Sequence, residues 1–298
     1  MQERILVATD FSEIADNAVK EAHVRANATS AAFGVCHVLP NLQSPHSFLP
    51  QENSRSELDI AAFDHQAFSA LEERVHRLTG RDDTTVDLFV DVGIPYAEIV
   101  KRAEQFKATL IVVSSQGKTG VKRLLLGSVA EQVVRHAHCP VEVLRPSFQR
   151  GTVIAATDLS DPSLPAIEAA AREAKRREAK LIVCFAIDFA AAAAFGGIAT
   201  VFGAPPSLPS NAAAKEIEES ARSLLRGALA RFGAEGEALV LEGPAAASVC
   251  HLAEERNAEL VVVSTRGRTG LSRMALGSVA ESIIRHAPCS VLAVRHHS

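Results

Sequence analysis

Residues Ser114–Cys139 read SSQGKTGVKRLLLGSVAEQVVRHAHC, and residues Ser264–Cys289 read STRGRTGLSRMALGSVAESIIRHAPC. The two stretches lie 150 positions apart in a chain of 298 residues, so the chain is a tandem repeat and each copy is long enough to bury its own core. Each glycine-punctuated stretch follows a uniformly apolar run, TLIVVSS at 109–115 and ELVVVST at 259–265. Runs of that kind suit strands covered on both faces, which pair in parallel through right-handed helical crossovers.

Working outward, RILVATD (4–10) is a strand ending in a Thr-Asp turn, and FSEIADNAVKEAHVRA (11–26) carries apolar residues at helical spacing. AAFGVCHVL (31–39), TTVDLFVDVG (84–93) and VEVLRP (141–146) complete five strands, with helices expected near 57–79, 95–107 and 128–138 and a Pro/Ser/Gln-rich loop at 40–56. The second half repeats the order with TVIAATDLS (152–160), KLIVCFAID (180–188), EALVLEG (237–243) and VLAVR (291–295) around its own apolar run, and helices near 163–178, 215–232 and 245–256. The expectation is an α/β chain of two similar doubly wound domains, 1–146 and 152–298, each a five-stranded parallel sheet with helices on both faces. PSFQRG (146–151) is the linker, and 189–214, an Ala/Gly/Pro-rich insertion, is read as a loop with a lid or contact surface as the alternative.

The formal charge of −4 gives no global attraction to nucleic acid or anionic lipid. Five cysteines, an odd number, sit mostly in apolar runs as reduced core thiols do, which points to a reducing, cytoplasmic compartment. The N-terminus lacks the apolar core of a signal peptide, and the stretch 188–211 is broken by prolines, so neither export nor membrane insertion is expected.

In an open parallel sheet, ligands bind beyond the carboxyl ends of the strands where strand order reverses, here between Asp10 and 114–128 and between Asp158 and 264–278. Gly117 and Gly120 allow tight turning and close approach of a ligand. Ser128 to Glu131 and Ser278 to Glu281 fit a capping box, with serine as N-cap and glutamate three residues on. Helix amides there, with Lys118, Lys122 and Arg123 or Arg266, Arg268 and Arg273 around them, suit an anion such as phosphate. The bland alternative is a plain helix start with solvated cations. Neither the dinucleotide-binding nor the P-loop glycine motif is present, and no triad or paired carboxylate stands out.

These residues resemble the universal stress protein family in its tandem form. Its motif Gly-x2-Gly-x9-Gly-Ser/Thr is matched from the second glycine onward by Gly117, nine residues, Gly127 and Ser128, and likewise by Gly267, Gly277 and Ser278, with Asp10 and Asp158 as the acid ending strand one. The resemblance implies strand order 3-2-1-4-5 and an adenine nucleotide, ATP or a relative that can carry magnesium, in the crevice. It places Thr9 and Asp10 at the adenosine, Val38 beside adenine, and Ser114, Gln116, Gly117, Gly127, Ser128 and Val129 at the phosphates; the second copy has Thr157, Asp158, Ala186, Ser264, Arg266, Gly267, Gly277, Ser278 and Val279. Ser114 and Ser264 replace the motif's first glycine and put a side chain where the nucleotide passes. Phe185 and Ala186 in place of His37 and Val38 change the adenine wall, which favours the first site as the occupied one, while Arg266 for Gln116 strengthens the phosphate interaction of the second.

The resemblance further implies edge-to-edge pairing through the last strands, 141–144 and 291–294, within one chain, with a homodimer and an unidentified regulatory protein as further partners. The implied role is regulation in the stress response, with a nucleotide-independent adaptor and a slow ATPase as the rivals. A cradle without a base to position water favours binding over hydrolysis. His136, His138 and Cys139 could suggest a metal, but Pro288 replaces His138 in the second copy, so no metal site is expected. Cys139 and Cys289 are expected to be packed, His296 and His297 to be a solvated tail, and Gly93-Ile94-Pro95 and Gly243-Pro244 to start helices.

Overall fold

The computed structural model describes residues 2–40, 57–80, 86–116, 126–146, 151–189, 210–267 and 276–295, with 57–64 described by their backbone. Gly117, Lys118, Gly120, Lys122, Arg123, Arg268, Arg273, His296 and His297, most of the loop 40–56 and most of the insertion lie outside the described residues. The chain divides into two compact units, Met1–Leu144 and Arg145–Ser298.

In the first unit the order is β1 (Arg4–Thr9), α1 (Glu13–Thr29), β2 (Ala32–Pro40), α2 (Glu57–Thr79), β3 (Val86–Gly93), α3 (Pro95–Gln105), β4 (Leu110–Ser114), α4 (Ser128–His136) and β5 (Val141–Leu144). All strand pairs are parallel, in the spatial order β3-β2-β1-β4-β5. α1 and α2 pack on each other and on β1, β4 and β3, while α3 and α4 pack together toward β2, β3 and β5. Aliphatic strand residues such as Ile5, Leu6, Val7, Val35, Ile111 and Val143 are buried between these layers. Each such side chain contributes roughly 1.5–3 kcal/mol of burial. Gly34 has no room for a side chain, since a Cβ there would stand 3.0 Å from Phe89 and 3.2 Å from Leu6 and Phe106.

The second unit repeats the plan with β6 (Thr152–Ala156), a 3-10 turn (Asp161–Ser163), α5 (Leu164–Arg177), β7 (Lys180–Ile187), α6 (Asn211–Arg231), β8 (Glu237–Glu242), α7 (Ala245–Glu255), β9 (Leu260–Ser264), α8 (Ser278–His286) and β10 (Ser290–Val294). Its parallel order is β8-β7-β6-β9-β10, the same 3-2-1-4-5 plan. Order therefore reverses between β1 and β4 and between β6 and β9, which fixes where the crevices lie.

Some boundaries differ from expectation. α6 begins at Asn211, inside the stretch read as insertion, because Ser210 accepts from the Ala213 amide at 3.3 Å and three alanines follow, the best helix formers. Pro244 is the N-cap of α7 rather than its first helical residue, and Gly243 ahead of it takes φ +102°, where glycine is favoured. Pro95 does open α3.

Candidate functional site

The capping-box expectation is overturned in both units. Gly127 and Gly277 are the N-caps, with Ser128 and Ser278 as first helical residues and no side-chain cap in either helix. The cause is a contact across the crevice floor: the Gly127 amide donates to the Ser115 carbonyl at 2.7 Å, and the Gly277 amide to that of Thr265 at 3.0 Å. Each glycine is thereby held extended, and its own carbonyl accepts the amide of Glu131 or Glu281 as the first helical bond. A Cβ at Gly127 would come within 3.3 Å of Ser115 O. The glutamates reach along the helix to Arg135 and Arg285 instead of back to the cap. First-turn amides, which have no intrahelical acceptor, and the positive end of the helix dipole thus face the crevice without a side-chain cap.

The opposite wall is built by the turn after the first strand. Thr9 Oγ1 accepts from the Phe11 amide and Asp10 Oδ1 from the Ser12 amide; Thr157 Oγ1 and Asp158 Oδ1 hold the amides of Leu159 and Ser160 in the same way. These side-chain bonds keep Phe11 at φ +64° and Leu159 at φ +62°, a left-handed conformation that costs a bulky residue roughly 1–2 kcal/mol. In the first unit, His37 Nδ1 donates to the Thr9 carbonyl at 2.8 Å and its ring packs on Phe11 at 4.1 Å, and Val38 is buried beside it.

In the second unit these walls enclose a cleft of about 230 Å³. Thr157, Asp158, Ala186, Ser264, Arg266, Gly267, Gly277, Ser278 and Val279, every residue expected in that half, line it. A Cβ built at Gly267 falls on Asp158 Oδ2, the end of a flexible side chain, so any larger residue there makes the carboxylate turn aside. Ser264 lines the cleft, with its hydroxyl donating to the Pro162 carbonyl at 2.7 Å. In the first unit Ser114 donates to the Gln116 carbonyl at 3.0 Å, while Gly117 lies outside the described residues.

Cys184 and Phe185, beside Ala186 on the expected adenine wall, line the cleft too, and so do residues that sequence reading left out: Ser163, Ala245, Val249 and Ile283. Ala245 and Val249 stand four apart on α7, so their helical spacing marked a buried face without marking a ligand. Burial pushes the Cys184 thiol up to about 12, so it lines the cleft as a neutral group. The lining combines Arg266 and the start of α8, favourable to an anion, with apolar Phe185, Ala186 and Val249 and with the Asp158 carboxylate, which accepts hydrogen bonds at the turn.

The protein-family model described as the universal stress protein family matches the chain twice, over residues 1–145 and 149–295. The chain belongs to the universal stress protein family. Among curated universal stress proteins it is similar to one from Methanocaldococcus jannaschii, 36% identical over 145 residues, 49% of this chain and 83% of the relative. One from Mycobacterium tuberculosis strain H37Rv is 32% identical over 197 residues, 63% of this chain and 62% of the relative's length. The crystal structure of a universal stress protein from Archaeoglobus fulgidus superposes with TM-score 0.68 at 22% identity over 100% of both chains, which shows the shared fold. Two matches of the family model make this a tandem universal stress protein. Among the described residues no helix is long and apolar enough to cross a membrane, and no group of three or more His, Cys, Asp or Glu side chains is placed to hold a metal ion.

Proposed function

We propose that this tandem universal stress protein binds an adenine nucleotide, ATP or a close relative, in the cleft of its second unit and serves as a nucleotide-responsive regulator in the stress response. The composition of the cleft supports the assignment: side-chain-uncapped α8 amides and Arg266, apolar Phe185, Ala186 and Val249, and the Asp158 carboxylate against Gly267. Those donors fit the three parts of a nucleotide. Helix amides and a guanidinium hold phosphate oxygens, an apolar slot takes a base, and a carboxylate accepts ribose hydroxyls. A magnesium ion would come with the phosphates, where it neutralises their charge. Free thiols at all five cysteines fit a cytoplasmic protein.

Calorimetric titration of the intact chain with ATP, ADP and GTP, alongside mass spectrometry of small molecules that co-purify with it, tests the assignment. Saturable binding of ATP with weaker GTP is expected. Absence of heat with every adenine nucleotide at millimolar concentration would leave the chain a nucleotide-independent adaptor. Steady-state ADP release faster than minutes per turnover would make it an ATPase.

A further inference from the structure

Ser264 is the last residue of β9, 8% exposed, and it stands at the lip of the second unit's cleft. Its hydroxyl donates to Pro162 O at 2.7 Å and accepts the Arg266 amide at 3.3 Å. Pro162 belongs to the 3-10 turn directly behind Asp158, and Pro165, three residues on, has no N–H to offer its carbonyl. The same turn is knotted internally. Ser163, 2% exposed, donates to the Ser160 carbonyl at 2.8 Å, which leaves Thr157 Oγ1 to donate to Ser163 Oγ at 2.7 Å. Ser264 therefore joins the Asp158 turn to the Arg266–Gly267 turn across the point where strand order reverses. Between those lips the fit is so close that a methyl on Gly267 falls on Asp158. The first unit solves the problem differently: Ser114 bonds within its own loop, and the turn at Phe11 is held from α2, by Arg74 Nη2 to Phe11 O at 2.8 Å and by the Arg74–Asp16 pair.

We propose that Ser264 is a positioning residue, a strut that holds the second cleft at its ligand-binding aperture before ligand arrives; the inference rests on the nucleotide assignment above for its ligand. A glycine at 264 lacks the hydroxyl and lets the two lips drift. The net worth of one neutral hydrogen bond corresponds to about a fivefold change in the equilibrium constant between held and drifted lips, and affinity falls by up to that factor.

The test compares wild type with Ser264→Gly, Ser264→Ala and Ser264→Thr in the intact chain, using stopped-flow and equilibrium ATP binding and amide exchange at Leu159, Ser160 and Ser163 without ligand. Expected are an ATP Kd raised severalfold, up to about fivefold, in the Gly and Ala variants, carried by the association rate with dissociation unchanged, faster exchange at those amides, and recovery in Ser264→Thr. A purely structural serine would lower the melting temperature and leave Kd and the association rate alone. A serine that obstructs the nucleotide would make Ser264→Gly bind more tightly. Either result overturns the strut, as does unchanged amide exchange. Wild type that binds no nucleotide refutes the assignment of ligand, and the amide exchange then decides the strut by itself. Ser264→Cys, matched in volume and a weak donor, replaces the Gly and Ala variants if those do not fold, with the same loss expected.

Discussion

Replacing Gly277 by aspartate sets the stability of α8 against its ability to bind an anion. Gly277 is the N-cap, at φ −63° and ψ 140°, which an aspartate adopts without strain, and a Cβ there meets Thr265 O at an ordinary 3.6 Å. The new carboxylate reaches the first-turn amides that no side chain caps. It gains a few tenths of a kcal/mol as a better cap than glycine, about 0.5 kcal/mol from the helix dipole and a similar amount from a stiffer unfolded chain, roughly 1 kcal/mol together. In a unit of this size that raises the melting temperature by about 2–4 °C. Under the nucleotide assignment proposed above, the same carboxylate occupies the place of a phosphate. Losing two charge-assisted hydrogen bonds costs ATP binding about 3 kcal/mol, more than a hundredfold in Kd. Differential scanning calorimetry and isothermal titration on the intact chain read both effects. A variant that binds ATP within threefold of wild type, with its melting temperature preserved, refutes the placing of phosphate at this helix.

Gly267→Ala puts a methyl on Asp158 Oδ2, so the carboxylate swings and gives up the Ser160 amide and hydroxyl; ATP affinity should fall by about thirtyfold, roughly 2 kcal/mol. Gly227→Ala, in open space on α6, is the matched control and should leave binding unchanged while adding about 0.5–1 kcal/mol of stability. In the first unit Arg102 forks onto Asp91, with side chains 25% and 14% exposed, where the second unit has Leu252 and Leu241. Arg102→Leu alone should therefore lower urea-unfolding stability by about 2–3 kcal/mol, while the Asp91→Leu, Arg102→Leu pair returns to within about 1 kcal/mol of wild type. Burial raises the thiols of Cys184 and Cys289 from 9.0 to about 12. Folding thus favours their protonated forms: this stability is fully present below about pH 9 and drains away as pH climbs toward about 12, at up to about 1.4 kcal/mol per pH unit for each thiol. Urea melts across that range should show a shallower alkaline slope in the Cys184→Ala, Cys289→Ala double variant.

The strands were legible because β4 and β9 are uninterrupted aliphatic runs, and alternation with helices leaves parallel pairing as the economical solution. The lining of the second cleft was legible for a related reason, since a glycine-hinged turn must enter a helix beside the tip of the first strand. What escaped the sequence is what depends on distant partners. Ser-Val-Ala-Glu has the form of a capping box, and only the bond from Gly127 to Ser115 moves the helix start back by a residue. Serine at 264 reads only as a side chain in the nucleotide's path, and its bond to Pro162, 102 positions away, had no mark in the sequence. The start of α6 was hidden by alanines, which carry neither the polar nor the large apolar side chains that mark a helical period.

The left-handed residues after Asp10 and Asp158 carry a wider consequence. Phenylalanine occupies one and leucine the other, with nearly the same φ, so the main chain of this corner is set by the threonine and aspartate that precede it and not by the residue that bears the strain. A protein engineer could retune what lies over that corner, one copy at a time, while the peptide scaffold beneath keeps its shape.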